Sequence, residues 1–222
     1  SVFPHNENFE TFTACFESCT SPCVLSSNWT NVTTDGTDWI TDANGTPSPG
    51  TGPTANGGAD HNPGVAGGKY LYLESTPCQS ITGILESPYL DFTGGTSPYV
   101  TFWYHMYGGS MGTLHVDVST DSGASWTNNV IPSITSNTNV WQQSTVGLGA
   151  FGGQIVKVRF RGNIGAGSSS DMAIDDVTFH LVEQMNVGVT NIQSNDSLFC
   201  DYATNELCIE IINGDSVQLD SA

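Results

Sequence analysis

Gln154-Ile155-Val156-Lys157-Val158-Arg159-Phe160-Arg161-Gly162 reads as a strand with two unlike faces. Val156, Val158 and Phe160 alternate with Lys157, Arg159 and Arg161, so a period of two puts the apolar set on the core side of a sheet and the cations on its wet side. Thr113 to Ser119 repeats the pattern, with Leu114, Val116 and Val118 opposed to His115, Asp117 and Ser119. If the two strands pair, Asp117 meets Arg159 or Arg161, a surface bridge worth about 1 kcal/mol or less. Period-two segments bounded by Gly, Pro, Asn and Ser recur along the chain, and no long 3.6-residue pattern interrupts them. Strands are expected near Asn8 to Phe12, Asn28 to Thr33, Trp39 to Thr41, Lys69 to Ser75, Gly83 to Phe92, Tyr99 to Tyr107, Thr113 to Thr120, Val140 to Leu148, Gln154 to Gly162 and Met172 to Val182. Such a series with long loops predicts an all-β chain, a jelly-roll-like antiparallel β-sandwich of two sheets rather than a small barrel.

The 222 residues suffice for one large β domain with a real core. Twenty-two acids against four bases leave a formal charge of -18, which excludes a nucleic-acid partner because phosphate neutralisation needs clustered cations. An anionic membrane surface is disfavoured for the same reason, and no apolar run is long enough for membrane insertion. The chain starts without a charged segment followed by an apolar one, which predicts a mature, processed beginning. Asn28, Asn31, Asn44 and Asn195 open formal glycosylation sequons, which arise readily by chance in a Ser/Thr/Asn-rich chain.

Cys15, Cys19, Cys23, Cys78, Cys200 and Cys208 fit a disulfide framework in an oxidising compartment better than zinc, since no nearby His or fourth Cys completes a tetrahedron with the first three. Cys200 is expected to staple locally to Cys208, while Cys78 must reach back to Cys15, Cys19 or Cys23. Three pairings of the first four remain open.

After residue 184 the pattern restarts. Met185 to Ile192 and Glu206 to Ile212 look like two strands of a second, Ig-like module. Residues 185–222 are too few for an independent core, so a first module over 1–184 followed by a partial one predicts a slice of a longer chain. Within the first module, the Gly/Pro/Asn-rich run from Gly45 to Gly68 is long enough to be functional, and its prolines favour order.

Met172-Ala173-Ile174-Asp175-Asp176-Val177-Thr178-Phe179 places adjacent carboxylates inside an otherwise buried strand. Burying them unpaired is costly, and three of the four basic residues sit on one other strand, so a divalent cation is the economical partner. Asp175 and Asp176 should point to opposite faces, which argues against a catalytic carboxylate pair. One of them can join Glu10 in an oxygen-rich structural calcium site if the first and last strands lie side by side, with Asp38 and Asp60 as further candidate ligands. The bland alternative is that these carboxylates cap loop amides.

No Gly-Xaa-Ser-Xaa-Gly and no His-Glu-Xaa-Xaa-His occurs, and His105, in a dense aromatic strand, reads as structural. Asp42-Ala43-Asn44-Gly45 opens like an EF-hand loop, but Pro53 stands at its last ligand position. Ser119 to Trp126 resembles a single Asp-box hairpin, a folding device in which Asp121 bonds turn amides and Trp126 packs beneath. Trp103 is expected in the core. Trp39, beside the long loop, is expected at an exposed edge, where with His61 and Asn62 it would contact a ligand, or else cap the sandwich.

Phe9-Glu10, Asp38-Trp39, Thr46-Pro47-Ser48 with Thr51-Gly52-Pro53, Asp60-His61, Gly68 to Tyr72, Leu85-Glu86-Ser87-Pro88, Phe102 to Met106, Gly112-Thr113-Leu114 and Ala173 to Val177 follow one another in an order that resembles MAM domains, named for meprin, the A-5 antigen and the mu-type receptor phosphatase. The resemblance covers most of Asn8 to Glu183. It implies a jelly-roll sandwich, often holding a calcium ion, that serves outside the cell as an adhesion or interaction module without catalysis of its own. The Thr11 to Val24 segment with its three cysteines departs from the family's spacing, which leaves its disulfide pairing open. The acidic, Lys-poor composition and the tail from Asn186 look more like secreted bacterial multidomain proteins with Ig-like repeats. The expected function is a secreted or cell-surface, calcium-stabilised binder of protein or carbohydrate, not an enzyme. The rivals are an accessory domain of a secreted protease or polysaccharide hydrolase and a structural spacer of a surface fibre.

Overall fold

The computed structural model describes residues 2–53, 60–65 and 67–183. These belong to the first of two units, Ser1–Glu183; the second, Gln184–Ala222, with the expected Cys200–Cys208 bridge and Ig-like strands, lies outside the described residues.

Among the described residues eleven strands form two antiparallel sheets: β1 His5–Glu7, β2 Thr30–Asn31, β3 Ile40–Asp42, β4 Tyr70–Leu73, β5 Thr82–Glu86, β6 Leu90–Asp91, β7 Gly95–Met106, β8 Thr113–Ser119, β9 Thr138–Gly147, β10 Ile155–Asn163 and β11 Met172–Glu183. The larger sheet runs β3-β4-β11-β7-β9, with β1 also on β11; the smaller runs β2-β5-β10-β6, with β8 also on β10. The first and last strands do lie side by side, His5 opposite Phe179 and Glu7 opposite Val177.

The core is what the alternation dictates. Val156, Val158 and Phe160 of β10 face Val100, Phe102, Val177 and Phe179 of the larger sheet, all buried, with Trp29 stacked between Phe160 and Phe179. Gly83 and Gly162 are obligatory here. A Cβ on either would lie within 2.4 Å of a Leu73 methyl, and at Gly162 also 3.3 Å from the Trp39 ring.

Two expected strands are reshaped by local chemistry. Asn8 to Phe12 is not a strand: the chain turns at Phe9 (φ 57°), whose amide donates to Glu7 Oε1 at 3.0 Å, and the turn drops both Phe9 and Phe12 into the core. Gly83 to Phe92 breaks into β5 and β6 around Pro88, which has no amide hydrogen. There the Ser87 hydroxyl accepts the Val158 amide at 3.0 Å and keeps both halves on β10.

Asp117 pairs with both arginines rather than one, and not at the surface. Its side chain is 0% exposed and accepts Arg159 Nε at 2.8 Å, Arg161 Nε at 2.9 Å and the Asn129 amide at 2.8 Å. Burial pushes its carboxyl up, but the bonds from Arg161, the Asn129 amide and Arg159 outweigh that and hold it below the usual range. The hairpin beside it folds as expected: Asp121 accepts the Ser125 amide and hydroxyl, and the Arg159 guanidinium lies 4.3 Å over the Trp126 ring.

Candidate functional site on the outer face of the larger sheet

Strand β7 buries Val100, Phe102 and Met106 inward, so Tyr99, Thr101, Trp103 and His105 take the opposite parity and point outward. Trp103, expected in the core, therefore lies on the outer face, where the His61 ring stacks on it with centroids 3.7 Å apart and planes 17° apart. Trp141 of β9 meets His61 and His105 edge-on at 6.2 and 5.6 Å. Tyr70, Tyr72 and Ala173 continue this aromatic face toward β3.

A β-bulge holds the loop here. Between Asp175 and Thr178 the register on β7 shifts, and Asp176 takes φ 46°. Strict alternation would send the two carboxylates apart, but the bulge brings both to the same loop residue. Asp175 Oδ2 accepts the His61 amide at 2.9 Å, and Asp176 Oδ2 bonds His61 Nδ1 at 2.5 Å. Asp175 is fully buried, and that burial, then the Asp176 charge, pushes its carboxyl up to about 8.

The expected calcium ligands meet only in part. Asp60 is buried, with Oδ2 accepting the Gly64 amide at 2.9 Å and Oδ1 without a partner; a Cβ on Gly68 would fall 2.2 Å from that carboxylate. Glu10 Oε1 accepts the next amide, Lys69 N, at 2.7 Å, so Asp60 and Glu10 flank one peptide. Asp38 is elsewhere. Its Oδ2 accepts the Cys23 amide, and it lines a cleft of 470 Å³ with Asp35, Pro22, Thr37 and the half-cystines Cys19 and Cys78. Burial pushes the Asp35 carboxyl up to about 6 despite its bond to the Ile84 amide. Among the described residues, no three His, Cys, Asp or Glu side chains group closely enough to hold a metal ion by themselves.

Trp39 is not a surface residue. It is fully buried and its Nε1 donates to Gly83 O at 3.2 Å, so it cannot stack on a ligand; it packs inside the sandwich just ahead of β3, the edge strand of the larger sheet. The outward position belongs to Trp103, and its parity against Phe102 and Val100 was the available signal. His61 is a quarter exposed and Asn62 is exposed. Among the described residues the disulfides are Cys15–Cys23 and Cys19–Cys78, so Cys78 reaches back as expected.

His105 is structural, as read: 3% exposed, its Nε2 is 3.2 Å from Asn139 Oδ1. Burial lowers its pKa to about 4, so the native ring is neutral at pH 7. The unfolded chain takes up the proton nearer pH 6.5, hence this residue's contribution is whole above pH 6.5 and is withdrawn as pH falls toward 4, by up to about 3 kcal/mol. Urea unfolding of His105→Phe between pH 7 and 4 should show a shallower acid loss than the parent. An identical slope would contradict the assignment.

The family model described as "MAM domain, meprin/A5/mu" matches residues 8–184. The MAM domain-containing glycosylphosphatidylinositol anchor protein 1 of Homo sapiens is 32% identical over 159 residues, and that of Rattus norvegicus 29% over 153; each alignment covers 68% of this chain. The chain spans only 16% of the length of either relative. Among solved structures, the K1 adhesin domain of Lys-gingipain from Porphyromonas gingivalis W83 superposes with a TM-score of 0.54 at 19% identity, covering 81% of this chain and 99% of that one. The K2 domain gives 0.53 at 20% identity, covering 80% and 99%. At such identities these two structures speak for the fold alone. The chain belongs to the MAM domain family, whose members are extracellular, and the two disulfides among the described residues fit that location.

Proposed function

We propose that this chain is a non-catalytic, calcium-stabilised interaction module of a longer secreted or cell-surface protein, binding protein or glycan through the outer aromatic face at His61, Asn62 and Trp103. The observation that carries the reading is the His61–Trp103 stack, a partly exposed π surface at the mouth of the longest loop, anchored on one side by the Asp175–Asp176 bulge. Trp103→Ala should lose binding on an array of glycans and extracellular-matrix proteins while melting within a few degrees of the parent. Undiminished binding would move the contact surface elsewhere. Turnover of a polysaccharide or peptide by the purified chain, abolished by one carboxylate substitution, would reject the non-catalytic reading.

Calcium fits the Asp60 region chemically. The buried Asp60 Oδ1 has no partner, and a divalent ion would supply the counter-charge it lacks, with peptide carbonyls and water completing the shell and Glu10, Asp175 or Asp176 joining only if the ion draws them closer. An ion bound only to the native state adds about 2.7 kcal/mol at a hundredfold excess over Kd. The melting temperature should therefore rise by several degrees in calcium and fall in chelator, and Asp60→Asn should lose that increment. A Tm indifferent to both would remove calcium from this reading.

A further inference from the structure

Beyond the Asp60 loop, a second set of acids is buried where β4 ends and β11 begins. Glu74 is 1% exposed and Asp171 0%, and their charges interact. One oxygen of each is well served. Glu74 Oε1 accepts the Thr76 amide at 2.6 Å and the Ser48 hydroxyl at 3.3 Å, while Asp171 Oδ1 accepts the Ser75 amide at 2.9 Å and hydroxyl at 2.8 Å. The other two, Glu74 Oε2 and Asp171 Oδ2, are buried without a partner, and so is the hydroxyl of Tyr72, whose ring lies within electrostatic reach of both. Nearby, Asp42 accepts the Tyr70 hydroxyl at 2.7 Å and shares a hydrogen bond with Glu17.

Among the described residues no side chain neutralises the set. Each of the four basic residues is committed elsewhere: Lys69 to the Glu10 carbonyl, Lys157 to Glu86, and Arg159 and Arg161 to Asp117. Two buried carboxylates with unused lone pairs and no cation cost several kcal/mol each if both are ionised. With Leu73 opposite Met172, Tyr72, Glu74 and Asp171 lie on one face of the β4–β11 pair and interact electrostatically, and the loop that covers Asp171 packs closely against it. Gly52 (φ +62°) would place a Cβ 2.7 Å from Thr46 Oγ1 and 3.1 Å from Asp171 Cβ, so the loop backbone lies directly against Asp171.

We infer that Glu74 and Asp171, with the Tyr72 hydroxyl, form a buried site for one calcium ion, separate from the Asp60 loop and pinning the Thr46–Pro53 loop to the ends of β4 and β11. A divalent ion balances the two carboxylates, and calcium accepts the irregular, part-hydrated oxygen shell that magnesium resists. The site does not depend on the Asp60 ion.

Calcium titration calorimetry on the whole chain tests both independently. The parent should bind two ions, Asp60→Asn one, and Glu74→Gln or Asp171→Asn one, with the combination of Asp60→Asn and Glu74→Gln binding none. Affinity at the lost site should fall at least about tenfold. Both amide variants keep the acceptor used by the Thr76 or Ser75 amide, and near-ultraviolet circular dichroism checks that they fold. A folded Glu74→Gln or Asp171→Asn protein that binds as many ions as its parent overturns the proposal, the two acids then sharing a proton. Binding of sodium or magnesium in place of calcium overturns the calcium assignment. If neither variant folds, an anomalous difference map of parent crystals grown in calcium decides: a peak between Glu74 and Asp171 supports the site, and its absence overturns it.

Discussion

Truncating Asp117 to alanine is expected to cost about 3–5 kcal/mol of unfolding free energy. The carboxylate is fully buried on the outer face of β8, beneath the hairpin and between Arg159 and Arg161, whose side chains are only 14% and 18% exposed. Removing it leaves two guanidiniums side by side in a poorly hydrated place and orphans the Asn129 amide as well. The penalty therefore arises from uncompensated charge rather than from one lost contact. Asp117→Asn, which keeps the shape and an acceptor, should lose less. Urea unfolding measures both, and a loss under about 1 kcal/mol for the alanine variant would mean the pair behaves as an ordinary surface bridge.

Replacing Cys19 and Cys78 together with serine is expected to cost about 4 kcal/mol, because that bridge closes a chain segment of 59 residues and removes much loop entropy from the unfolded state. The Cys15–Cys23 bridge closes only 8 and should matter less, by more than about 1 kcal/mol on the same scaling. The larger bridge also ties the cysteine-rich segment to the chain after β4, where the Thr37 hydroxyl donates to Cys19 O at 2.8 Å. Equal losses from the two double substitutions, read by thermal unfolding under non-reducing conditions, would contradict the entropic account.

The alternation in β8 and β10 determined, from sequence alone, which of their side chains enter the core, because a period of two puts Leu114, Val116 and Val118, and Val156, Val158 and Phe160, on one face each. The return of Cys78 to the amino-terminal cysteines was also legible, since no other partner stood near it. Which cysteine it takes was not, because Cys15, Cys19 and Cys23 are equivalent until the segment is packed. Parity along β7 contained the outward turn of Trp103, yet its place in a strand dense with aromatics suggested core, and only the loop that brings His61 onto the ring explains how so large a side chain is covered there. Trp39 shows the reverse: its neighbours in sequence suggested an edge, and the space left by Gly162 in a distant strand draws it inside. The acidic pair was legible as a costly burial but not as a geometry. A bulge of one strand against another turns Asp175 and Asp176 to one loop, and such a break in alternation depends on the register of partners far away in the chain. For the same reason Glu74 and Asp171 stand 97 residues apart in sequence, and only the pairing of β4 with β11, Leu73 opposite Met172, makes them neighbours without a cation.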